Sequence, residues 1–104
     1  MDEIEDNWYI VRGLKNGKVE VSNDERVMGD QEVVANMSVY AAPSKDEAVK
    51  YLHNHRPNAE YGATQYGKIK RLSNFKIVSD STGGNKGHYL ISGITIDKAK
   101  NIFS

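Results

Sequence analysis

Three histidines, a glycine-rich run carrying serine, threonine and lysine, and a second half in which cations alternate with tyrosines are the residues able to carry chemistry in this chain. His53 and His55 stand two apart, a spacing that on a helix sends the two rings to different faces. A zinc site would then need His88, from the far end of the chain, as its third ligand. No metal centre is expected. The chain has no cysteine, so it forms neither a disulfide nor a thiolate zinc site and has no cysteine nucleophile. That fits a reducing compartment.

The run Ser81-Thr82-Gly83-Gly84-Asn85-Lys86-Gly87 could cradle a phosphate through its amides, but the order G-x-x-x-x-G-K-[ST] opening a helix is missing. Lys86 is followed by Gly87 and then by strand-like residues. A plain hairpin loop is expected there, and no cofactor. Serines are plentiful, yet no G-x-S-x-G elbow appears and no motif sets a serine beside a histidine and a carboxylate. Catalysis is therefore not expected. Asp24, Glu25, Asp30 and Glu32 lack the ligand order of a calcium loop and read as a solvated connection.

Net charge is zero, but it is unevenly spread: residues 1–52 carry eleven acidic and six basic side chains, residues 53–104 three acidic and eight basic. Arg56, Lys68, Lys70, Arg71, Lys76 and Lys86 share the later half with Tyr61, Tyr66 and Phe75. Cations that track phosphates and rings that stack on bases would suit single-stranded nucleic acid. No RNP aromatic motif, GXXG loop or helix-turn-helix spacing accompanies them. A protein partner accounts for the same residues with fewer demands, since tyrosine and arginine concentrate binding energy at interfaces. The expectation is a non-catalytic binding or regulatory protein whose partner is another protein, with single-stranded nucleic acid as the alternative and self-association compatible with either. Arg12, Tyr61, Tyr66, Lys68, Lys70 and Arg71 are the expected contact residues, the tyrosines as anchors and the cations as orienting charges. Small size, absent cysteine and abundant asparagine also suit an inhibitor of the phage or mobile-element kind.

These residues must be held by a framework, and its clearest part runs from Asn36 to His55. Met37, Val39 and Ala41 alternate with Ser38, Tyr40 and Ala42, which predicts a strand. Pro43 ends it. Ser44 and Glu47 form a capping box that opens a helix over residues 44–55, with Ala48, Tyr51, Leu52 and His55 on one face and Pro57 behind it. Upstream, Trp8 to Leu14 reads as a strand returned by Asn16-Gly17, a pair suited to a type I′ turn, into a strand from Val19 to Ser22. That register sets Leu14 opposite Val19 and Arg12 opposite Val21, with Arg12 on the face of Ile10. Residues 23–32 read as a loop, and Val33 to Ala35 as an early, bulged start of the strand at 37–42.

Downstream, Asn58 to Gln65 reads as a connection, Tyr66 to Leu72 as a strand, and Phe75 to Val78 as its partner. His88 to Ile94 is a further strand, and Thr95 or Asp97 caps a last helix carrying Ile96, Ala99 and Phe103. The order β-β-β-α-β-β-β-α predicts an α+β fold. It has an antiparallel or mixed sheet of about five to six strands, the main helix on one face and a short C-terminal helix. A single domain over residues 1–104 is expected, its first six residues frayed. The acidic start lacks the basic flank and apolar run of a secretory signal, and no window reaches membrane-spanning length, so a cytoplasmic protein with no membrane contact is expected.

Overall fold

A computed structural model describes residues 4–19, 26–27, 32–72, 75–80 and 87–103. The strands β1 (Tyr9–Gly13), β4 (Met37–Ala42), β5 (Tyr61–Gln65), β6 (Lys76–Ser79) and β7 (His88–Ser92) form one antiparallel sheet in the order β5-β1-β4-β7-β6. A two-stranded ladder joins β2 (Arg26–Val27) to β3 (Val33–Val34). The helices are α1 (Lys45–His55), α2 (Tyr66–Leu72) and α3 (Ile96–Ile102). The fold is α+β, and the sheet is open.

Alternation along the strands sends side chains to both faces, and each face has its own apolar core. Val11, Tyr40 and Ala42 pack with Ala48 and Leu52 of α1. Ile10, Met37, Val39, Ala41, Tyr89 and Ile91 pack on the other side with Ile69 of α2 and with Ile96, Ala99 and Phe103 of α3. The sheet is a middle layer between one helix and two.

α1 begins where its capping residues place it: the Glu47 amide donates to Ser44 Oγ at 3.2 Å. Ala48 and Leu52 are buried and Tyr51 is half-buried, whereas His55, expected on the same face, is exposed in the last turn. There it suits the partial negative charge of the helix C-terminus.

The Asn16-Gly17 turn forms as expected, with φ of 52° and 74° and mutual backbone bonds between Lys15 and Lys18 of 2.9 and 3.0 Å. Of the expected return strand, Val19 to Ser22, only Val19 is among the described residues. Leu14 donates its amide to Glu60 O and Arg12 lies opposite Gly62, so one edge of β1 is taken along its whole length by β5. Val21 and Ser22 lie outside the described residues.

Four further expectations change. Tyr61 to Gln65, read as part of a connection, is the edge strand β5. Tyr66 to Leu72, read as a strand, is the helix α2. One buried isoleucine between lysines satisfies either period, and tertiary contacts decide for the helix. The Tyr66 amide donates to Trp8 O and the Gly67 amide to Asp6 O, both at 2.9 Å, while Lys98 Nζ donates to Leu72 O at 2.8 Å. Backbone groups that a short helix leaves unsatisfied at both ends are thus partnered from outside. Asp6, expected to fray, is one of those partners. The third change is pairing: β6 joins β7 and not residues 66–72, so the glycine-rich run does span a hairpin, although residues 81–86 themselves lie outside the described set. Within the segment read as a loop, Arg26 and Val27 pair with Val34 and Val33.

Phe103 closes the core across β5 at Gly62, where an added Cβ would collide with the Phe103 carbonyl oxygen. Relief would require α3 to lift from the sheet. Gly62→Ala is expected to destabilise the protein by about 3 kcal/mol, measured by urea unfolding, with overpacking as the cause.

Candidate functional site

On the α1 side of the sheet, that helix packs over β1 and β4, with Leu52 and Ala48 against Val11, Tyr40 and Ala42. Pairing across β4, β7 and β6 sets out the rest of this face in rows. Tyr40 stands opposite His88, and the Asp80 amide donates to His88 O at 2.9 Å, giving the row Tyr40, His88, Asp80. Ser38 stands opposite Leu90, which stands opposite Val78, giving the next row. Beyond it lie Ser92 and Lys76.

Within these rows the side chains form a chain of polar contacts. Ser38 Oγ is hydrogen-bonded to His88 Nε2, and His88 Nδ1 lies 2.9 Å from the Asp80 backbone oxygen and 3.3 Å from Asp80 Oδ2. Both neighbours of Nδ1 are acceptors, so in the neutral ring the proton sits on Nδ1 and Nε2 keeps its lone pair for the Ser38 hydroxyl. The side chain is only 9% exposed and its ring packs at a tilt on Tyr40, with centroids 5.3 Å apart. Its orientation is fixed. The Asp80 side chain is 38% exposed, and the row beside Ser38 is apolar, with Leu90 half-buried and Val78 46% exposed. Sequence reading missed this grouping because its members come from three strands, at positions 38, 80 and 88, and obey no linear motif.

The expected contact residues are not gathered on one surface. Arg12 is half-buried and donates from Nη1 to Ser38 O at 2.6 Å, at the point where the β1–β4 ladder ends beyond Val11 and Tyr40. Tyr61 faces α1, with its ring edge-on to His53 (6.3 Å between centroids) and Lys45 Nζ 5.8 Å from its centre. Tyr66 is half-buried and edge-on to Phe75, with centroids 5.7 Å apart. Lys70 pairs with Asp6 at 3.0 Å and lies 5.6 Å from the centre of the Tyr66 ring. The hydrogen bond from Lys70 to Asp6, helped by the attraction of that carboxylate, holds the ammonium above its ordinary pKa. A raised pKa makes the pair stabilising at neutral pH, and its contribution is lost as pH rises through the range above the ordinary lysine value. Being exposed, it is also screened by salt.

Lys68 and Arg71 remain exposed. Three residues apart on α2, they share a side with Leu72, which is 52% exposed. Lys76, the first residue of β6, follows Leu72 by four residues, so the chain keeps the end of α2 within about 14 Å of the start of β6. There Lys76 and Val78 are exposed on the last strand of the sheet.

His53 Nε2 lies 3.0 Å from Ala59 O, so His53 is a donor that ties the end of α1 to the approach to β5. Among the described residues no group of three or more histidines, aspartates or glutamates is arranged to hold a metal ion, and no helix is long and apolar enough to cross a membrane. No family model matches the chain, and neither does any curated protein or solved structure.

Arg12→Met is expected to lower stability by about 1–3 kcal/mol in urea unfolding, because the Ser38 carbonyl loses a charged donor. Lys68→Ala, altering an exposed side chain on α2, is expected to leave the unfolding midpoint unchanged.

Proposed function

We propose that this protein acts by binding another protein through the rim formed by the exposed side of α2 and the outer edge of β6. The observation that carries the reading is that exposed apolar and cationic side chains flank this edge of the fold: Val78 and Lys76 on the α1 face of β6, and Leu72, Lys68 and Arg71 on α2, which packs on the other face. β6 ends the sheet, so the outer edge of Lys76 to Val78 can take a strand from a partner, as extended segments do when they add to a sheet edge. Exposed apolar side chains beside that edge supply burial, and the cations favour an acidic partner. Of the residues expected from sequence, Lys68 and Arg71 belong to this rim, while Arg12, Tyr61, Tyr66 and Lys70 have structural neighbours that account for them.

Single-stranded nucleic acid is the weaker reading. Base stacking needs open ring faces, and Tyr61 has Lys45 over its ring, while Tyr66 and Phe75 are half-buried against each other.

Capture from the native host with the wild-type chain and with an Arg71→Glu, Val78→Glu variant as paired baits tests the proposal. Proteins held by the wild type and lost from a folded variant are expected, together with no binding of labelled oligonucleotides at low salt. Identical captures by both baits would refute the rim, and an oligonucleotide affinity whose logarithm falls linearly with the logarithm of salt would favour the alternative. Retention of only the chain itself would make β6 a self-association edge.

A further inference from the structure

We propose that Ser38 is a nucleophile, activated by His88 and Asp80, that accepts an acyl group from a small ester-type donor. This goes beyond the binding rim and does not depend on it.

The geometry supplies each role. Ser38 Oγ is hydrogen-bonded to His88 Nε2, the atom that must take its proton, and Nδ1 is held by the Asp80 backbone oxygen at 2.9 Å and Oδ2 at 3.3 Å. With its proton on Nδ1, the imidazole presents a base to the hydroxyl, and the carboxylate stabilises the imidazolium formed when the proton moves. The burial of His88 and its tilted packing on Tyr40 keep the ring from turning away. Next to Ser38 in its row, Leu90 and Val78 form an apolar shelf on which a short acyl chain can lie.

In the acyl step Ser38 Oγ bonds to the carbonyl carbon and the bond from that carbon to the leaving oxygen breaks. The proton of Ser38 passes to His88 Nε2 and then to the departing alcohol. Water, deprotonated by the same nitrogen, then attacks the acyl carbon, releases the carboxylic acid and restores the Ser38 hydroxyl. No oxidant, reductant or further reactant is needed.

A fluorophosphonate probe arrests this sequence, because Ser38 Oγ bonds to phosphorus, fluoride leaves, and the proton passes through His88 to solvent. The full chain is incubated with the probe, and the adduct is located by intact mass and peptide mapping. One adduct per chain, on Ser38, is expected, absent in Ser38→Ala and formed at least about tenfold more slowly in His88→Gln and Asp80→Asn, the loss typical of removing a positioned base or its partner. Circular dichroism checks that each variant is folded, and Asp80→Asn carries the test if His88→Gln unfolds, since it keeps the backbone acceptor. A folded wild-type chain that leaves Ser38 unlabelled would overturn the proposal. So would labelling at the same rate in folded Asp80→Asn, or spread equally over other serines. In each of these cases the contacts of His88 would be a structural tie between strands and nothing more.

Discussion

The pairing of β4 with β7 is the constraint from which most of this structure follows. Every cross-strand partner from Met37 opposite Ile91 to Tyr40 opposite His88 keeps one register, and the bonds from Ala41 to Gly87 and from Val34 to Ile94 continue it in both directions. The same register carries the isolated bridge between Val33 and Thr95 and the bond from Ile96 to Glu32, so ten residues of one strand path face ten of the other. It runs through a bend at which Asn36 has φ of 56° and Gly93 of 101°, with the Asn36 amide held by Ser92 Oγ at 2.9 Å. A shift of one residue would exchange the two faces of β7 and put Ile91 where Leu90 now stands.

Because the register is fixed, so are the two cores. Met37, Val39, Tyr89 and Ile91 are committed to the side of α2 and α3, and Tyr40 and His88 to the side of α1. Ser38 is thereby set diagonally from His88, and the hairpin to β6 delivers Asp80 to the other side of the ring. Arg12 supports the same point from β1, taking the Ser38 carbonyl where the β1–β4 ladder stops. The polar grouping and the apolar shelf beside it are consequences of pairing, not of any local motif.

This explains which parts were legible in the sequence. The strand at 37–42, the Ser44 cap, α1, the Asn16-Gly17 turn and the final helix are each dictated within about a dozen residues, and each was readable. Three features were hidden because distant partners decide them. Residues 66–72 fit two periods until Trp8, Asp6 and Lys98 satisfy the ends of a helix. β5 looks too small and broken for a strand, yet Gly62 is what lets Phe103 approach. The expected contact set assumed that Lys68 and Lys70 line a strand. On α2 they diverge, Lys70 toward Asp6 and Tyr66 and Lys68 toward solvent. The Ser38, His88 and Asp80 grouping had no signal that a single sequence could display.

Nuclear magnetic resonance tests the β4–β7 register most directly. Cross-strand contacts are expected between Val39 and Tyr89, Met37 and Ile91, and Val34 and Ile94, with the slowest-exchanging amides in these two strands. Contacts displaced by one residue, such as Val39 with Leu90, or amides of β4 and β7 that exchange as fast as those of the Asn16-Gly17 turn, would contradict it.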